Sequence, residues 1–223
     1  MTRLIRIVMA AALCGCAASP APQAAAPAPA RIDSATFTTL WRQGQTWPQF
    51  RDAIDARPQM WARTQSLVAI PDAVVQRARN AGSWKLMIVA DDDCSDSGNV
   101  IPYLARLAEL APNLELRIVP DELGRRVKET HRTPDGRGAI PTLVVLDAGF
   151  NDRGCWVERP AQLQYWFMTR GNELLDTDTD TYRREKQGWY DFDHGASTLD
   201  EVLSAVEAAG TRAPRCGIVP HAY

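Results

Sequence analysis

The hydrophobic positions of this chain change their spacing several times, and each change predicts an element. KLMIVA, Lys85 to Ala90, is a continuous apolar run of strand length, the pattern of a strand covered on both faces. Beyond the acidic stretch DDDCSD, Val100, Leu104, Leu107 and Ala111 recur at helical spacing, and Pro112 and Asn113 end the helix they predict. LELRIVP, Leu114 to Pro120, predicts a second strand, so that strand, helix and strand form a βαβ unit with a parallel pair. DELGRRVKETHRTPDGRG reads as a polar helix running into a glycine-rich loop. IPTLVVLDAGFNDRGCWVERP then reads as a strand at Thr142–Leu146, a turn, and a strand at Cys155–Glu158, an antiparallel hairpin.

The flanking segments are helical. From Thr36 to Asn80, Phe50, Ile54 and Trp61 and later Val74 and Val75 supply apolar faces, with Pro48 and Pro71 suited to first turns. Trp41, Trp47 and Trp61 are expected as core anchors. From Ala161 the pattern is helical again, with a polar break. Asp176, Asp178 and Asp180 have the spacing that opens a calcium loop, but Thr181 and Gln187 stand where its glycine and closing acid belong. They are therefore expected to be solvated at the start of a helix. The last helix is expected behind a capping box of Thr198 and Glu201, with Leu199, Val202, Leu203 and Val206 on one face and Gly210 as its stop.

With 223 residues and 45% apolar content, the chain suits one ordinary domain with extensions. Its 25 basic against 27 acidic side chains leave no basic face for a phosphate backbone, which argues against nucleic acid as a partner. Arg3 and Arg6 precede an apolar stretch, Ile7–Leu13, that is too short to span a bilayer and predicts an export signal. Leu13-Cys14-Gly15-Cys16 resembles the bacterial lipoprotein cleavage box, which implies cleavage before Cys16, acylation of that cysteine and loss of Cys14. The alternative is an ordinary signal cut near Ala18 or later. AASPAPQAAAPAPA, uncharged and without large apolar residues, cannot bury a core and reads as a tether. At about 3.1 Å per residue it reaches roughly 45 Å. The expected organisation is signal 1–15, tether 16–33, helical lead-in 34–81, core 82–175 and C-terminal helical extension 176–223. Disulfides persist outside the cytosol, and with Cys16 lipidated the thiols left are Cys94, Cys155 and Cys216, one pair and one left over.

The central pattern resembles the thioredoxin family over residues 82–175. Cys94 sits at the start of the helix in the βαβ unit, where that family has its nucleophile; Pro102 falls where its active-site helix carries a kink proline. GAIPTLVVLDAGF, Gly138 to Phe150, matches the segment that opens on the family's cis-proline, here Pro141, 47 residues after Cys94. The resemblance implies an α/β fold, a three-layer α/β/α sandwich around a mixed central sheet, with helical extensions at both ends. The departures are equally specific. Ser97 replaces the second cysteine of C-x-x-C, Asp93 replaces the usual tryptophan, and Ile88 stands where many members carry a buried acid.

A dithiol cycle is thus unavailable, and the expected chemistry is monothiol exchange by Cys94 on exported proteins or small disulfides. A helix N-terminus favours the thiolate, whereas Asp91, Asp92, Asp93 and Asp96 oppose it; Ser97 is expected to donate to the sulfur. Ile140, Pro141 and Thr142 are expected to present backbone to an extended peptide. An inert Cys94 remains the alternative, and with it a non-catalytic module that holds a partner in the cis-proline groove at the membrane. In such a layout Cys155 and Cys216 form the favoured disulfide, with Cys216 as a distant resolving partner of Cys94 the other possibility. No cofactor is expected, and no metal, since His131, His194 and His221 lack ligand spacing and read as surface residues.

Overall fold

The structure, a computed structural model, describes residues 31–211. The signal, the tether up to residue 30, Cys16 and Cys216 lie outside them, whereas the expected end of the tether belongs to the fold: Ile32 packs on the core and Asp33 caps the first helix through the Thr36 N–H. Four helices lead in: α1 Ser34–Gln43, α2 Trp47–Asp52, α3 Pro58–Leu67 and α4 Asp72–Asn80. There follow β1 Trp84–Ala90, α5 Ser95–Leu110, β2 Leu114–Pro120, α6 Arg125–Thr130, β3 Thr142–Leu146 and β4 Asp152–Val157. The chain continues through α7 Ala161–Trp166, a π-helical turn Phe167–Gly171, α8 Asn172–Thr177, α9 Thr179–Asp193 and α10 Ala196–Ala209.

The four strands lie in the order β2-β1-β3-β4, β1 parallel to β2 and antiparallel to β3, and β3 antiparallel to β4. Side chains alternate across this mixed sheet. Leu86, Ile88 and Ala90 of β1, with Leu143, Val145 and Trp156, face α5 and α10 and the helices α3 and α4. Met87, Val89, Val144 and Leu146 face α1 through Phe37, Leu40 and Trp41, and α6 through Val127. Both faces are covered, which is why β1 and β3 read as unbroken apolar runs. Ile88 is fully buried in the first layer, so the position is filled by hydrocarbon. Gln45, between α1 and α2, pairs with Ile118 and closes part of the outer edge of β2.

Several expectations need correction. The second hairpin strand starts at Asp152 rather than Cys155, because an edge strand can take polar residues at its start. The Asp147 carboxylate accepts the Gly149 and Asn151 N–H groups in the turn before it. Cys155 consequently sits in mid-strand opposite Val144, fully buried, and does not open the strand. Thr198 and Glu201 form no capping box. α10 begins at Ala196 behind Gly195, the Asp193 carboxylate receives the Ser197 N–H, and Glu201 accepts from Trp156 Nε1 and Ala161 N–H, both at 2.8 Å. A capping box occurs instead at Thr46 and Gln49 of α2. His131 is not a surface residue: it is buried between the Val127 carbonyl and the Asp152 carboxylate.

Asp178 caps α9 through the Thr181 N–H, and among the described residues no group of His, Cys, Asp or Glu is placed to hold a metal. Trp61 and Trp41 are buried and Trp47 packs against the main core, as expected of anchors.

Candidate functional site

Cys94 lies where β1 hands over to α5. The three aspartates before it are tied down: the Asp91 carboxylate accepts the Asp93 N–H at 3.0 Å, Asp92 accepts the backbone N–H groups of Asp55 and Ala56, Asp93 pairs with Arg57, and the Trp61 indole donates to the Asp92 carbonyl at 2.8 Å. This acidic stretch holds the loop between α2 and α3 against the end of β1. Gly98, one turn into α5, lets α3 approach closely, since a Cβ there would stand 2.2 Å from the Met60 Cε. Pro102 sits inside α5 and is buried.

The cysteine is the N-cap of α5, and its sulfur accepts the Ser97 N–H at 3.5 Å. The sulfur also donates to the Ile140 carbonyl at 3.3 Å, so the thiol rests against the turn that carries Pro141. The Ile140–Pro141 peptide is cis, and the Pro141 carbonyl accepts the Glu158 N–H at 2.7 Å. Cys94, Ile140 and Pro141 are thus brought together. Thr142 is fully buried with its hydroxyl on the Ala139 carbonyl at 2.5 Å, so its side chain shapes the turn and does not face a partner. Ser97 is also fully buried, and its hydroxyl has no hydrogen-bond partner among the described residues. The hydrogen bond from Ser97 to the sulfur is made by its backbone N–H, and both its side chain and its backbone favour the thiolate.

The balance of forces on the thiol is now visible. Burial pushes Cys94 above its ordinary 9.0, and the negative charge of Asp96 adds to this; Ser97 and the Asp96 N–H pull the other way without prevailing. Asp96 itself is buried in the first turn of α5. Its carboxylate accepts from Tyr190 Oη at 2.7 Å, from Lys186 Nζ at 3.0 Å and from Arg159 Nη2 at 3.3 Å. Burial pushes its carboxyl up, but Lys186 and Arg159 outweigh that and hold it below the ordinary 3.8. Arg159 also pairs with Glu158, which adopts a left-handed backbone (φ 67°), and its guanidinium lies over the Phe167 ring at 4.4 Å.

Lys186, Tyr190, Arg159 and Glu158 were not anticipated from the sequence. Lys186 and Tyr190 come from α9, some ninety residues beyond the cysteine, and only the tertiary fold joins them to Asp96. One local signal exists: Tyr182, Lys186 and Tyr190 recur every four residues as the buried stripe of α9, and a lysine within such a stripe must find a carboxylate. Cys94 is a free thiol and Cys155 is disulfide-bonded.

A mixed sheet covered by helices on both faces, with Cys94 at a helix N-terminus against a cis-proline turn, defines a thioredoxin-like protein. The thioredoxin family profile matches residues 44–179, and the chain belongs to that family. The match begins well before residue 82 and so takes in α2, α3 and α4. No curated protein matches the chain. Among solved structures, a protein of unknown function from Pseudomonas aeruginosa is 25% identical, with a TM-score of 0.56 over 77% of this chain and 97% of its own. An HIV epitope-scaffold is 24% identical with a TM-score of 0.57, covering 76% of this chain and 96% of its own, a likeness of fold alone.

Proposed function

We propose that this protein captures disulfide-bearing partners in the bacterial cell envelope through Cys94, as a monothiol that holds what it binds. The observation that carries this reading is the free Cys94 sulfur 3.3 Å from the Ile140 carbonyl, with buried Ser97 where a resolving thiol would stand. In the capture step Cys94 gives its proton to solvent and the thiolate attacks one sulfur of the partner's disulfide. A bond forms between Cys94 Sγ and that sulfur, the partner's S–S bond breaks, and the departing sulfur takes up a proton. One disulfide is exchanged for another, so no outside oxidant is consumed.

The raised thiol pKa acts on both directions of this exchange. It leaves less thiolate at neutral pH, and it makes Cys94 a poor leaving group once bonded. A thiol that leaves poorly and has no resolving neighbour suits holding more than turnover. The cis-proline turn supplies the backbone against which an extended partner is laid. Lipid attachment at Cys16 would keep the captured partner at the membrane.

The test is to incubate the chain with oxidised glutathione and with a disulfide-bonded unfolded protein, then read adducts by non-reducing mass spectrometry. We expect one persistent adduct per chain, none with Cys94→Ser, and with Ser97→Cys a short-lived adduct that ends in an internal disulfide. Retention of the partner by Cys94→Ser at the parental level would overturn exchange in favour of non-covalent holding in the same groove.

A further inference from the structure

Every element packed near Cys94 brings charge, but most of it is spent elsewhere. Asp92 caps Asp55 and Ala56, Asp93 pairs with Arg57 of the lead-in, and Glu158 is shared by Arg137 and Arg159. The exception is Asp96, two residues after the cysteine, which is buried and held by Arg159, at the end of the hairpin, and by Lys186 and Tyr190 of the C-terminal extension. Lys186 of α9 reaches both residues that follow Cys94, donating to Ser95 Oγ at 2.7 Å and to Asp96 Oδ2 at 3.0 Å. One helical turn on, Gln187 and Asn99 exchange amide hydrogen bonds at 3.0 and 3.3 Å, and Tyr190 closes on the other Asp96 oxygen. Lys186, Gln187 and Tyr190 thus grip Ser95, Asp96 and Asn99. Apart from Tyr182, the buried side of α9 is this polar grip.

We propose that Asp96 and Lys186 are positioning residues for Cys94, the first fixing a negative charge beside the sulfur and the second balancing that charge and clamping the turn. The C-terminal helices then adjust, beside the burial of the thiol, how readily it reacts. This deepens the capture reading and rests on it for its purpose, although the effect itself concerns the thiol alone. A buried carboxylate that loses one of its two cations is left under-compensated beside Arg159 alone, and a buried ammonium that loses its carboxylate is left uncompensated, so Asp96 and Lys186 act together.

The experiment is the pH-rate profile for alkylation of Cys94 by iodoacetamide in the full chain, whose midpoint reports the field at the sulfur and whose upper plateau reports access. Asp96→Asn removes the charge and should lower the midpoint, giving about a tenfold faster rate at pH 7 with the plateau kept. Lys186→Met keeps the carboxylate and removes the nearer of its two cations, leaving Arg159 at 3.3 Å, and should raise the midpoint. Lys186→Arg should restore the parental profile. A shift in the same direction for Asp96→Asn and Lys186→Met would mean that both merely loosen α9, and no shift in either would mean that the pair does not act on the thiol; each result overturns the proposal. Because no partner enters this measurement, failure of the capture reading would leave its outcome untouched.

Discussion

Asp96 carries a second consequence, for stability. Its carboxyl lies below its ordinary 3.8 in the folded protein because Lys186 and Arg159 outweigh the cost of burial. A group depressed in this way contributes stability above its unfolded value and loses it as pH falls through the folded one. The grip of α9 on α5 should therefore weaken below about pH 3.8. Hydrogen exchange across α9 should show its amides opening on acidification before those of β1 and β3, and Asp96→Asn should abolish that early step. Simultaneous opening of α9 and the sheet in the parent would refute a local role. The Cys94 thiol acts at the other end of the scale: its raised value lends stability below the unfolded value and loses it as pH rises through the folded one, near and above 9.0. At this scale the sequence was half legible. The opposition between helix N-terminus and aspartates could be written down from DDDCSD, but which aspartate faced the sulfur could not. Three of the four spend their charge or their backbone on neighbours, and the fourth is buried by a helix some ninety residues away.

The elements were legible wherever a buried face imposes a period. β1, β2 and β3 fall within a residue of the runs that predicted them, because strands covered on both faces must be apolar throughout. Positions governed by polar geometry were not. The edge strand β4 begins in Asp152-Arg153, and the start of α10 is set by Gly195 and Asp193, not by Thr198. Gly195 makes this definite. It sits at φ 75°, where side chains are strained, and a Cβ on it would lie 2.5 Å from the Tyr103 ring. Gly195→Ala should cost about 1–3 kcal/mol and lower Tm by several degrees, since the ring belongs to the buried core of α5 and has little room to move. A thermal melt of the variant within a degree of the parent would show that the junction of α9 and α10 yields more easily than its contacts suggest. The Asp96 grip should survive the substitution, because Gly195 lies beyond the residues that form it.

For the molecule as a whole, the cysteines form a single account. There are five: Cys94 is free and Cys155 is disulfide-bonded, which leaves Cys14, Cys16 and Cys216 to supply the partner of Cys155. If the signal is cut before Cys16 and that residue carries lipid, Cys216 alone remains. The fold is compatible with this pairing. Cys155 lies on β4, an edge strand, and Arg153 of the same strand donates to the Ala209 carbonyl at the end of α10, so the chain leaves that helix beside β4 with seven residues to reach position 216. A link between Cys155 and Cys216 closes a loop of some sixty residues, which by chain entropy stabilises the fold by about 4 kcal/mol. One peptide map decides three proposals together. Alkylation before reduction should label Cys94, digestion without reduction should yield Cys155 joined to Cys216, and the N-terminal peptide of membrane-extracted protein should begin at an acylated Cys16. A Cys155–Cys16 link would remove the lipid anchor and free Cys216, and the protein would then have to be considered soluble within the envelope, with a spare thiol available to resolve Cys94 adducts. Recovery of Cys94 joined to Cys216 would end the monothiol reading outright, since capture at Cys94 would then close into an internal disulfide.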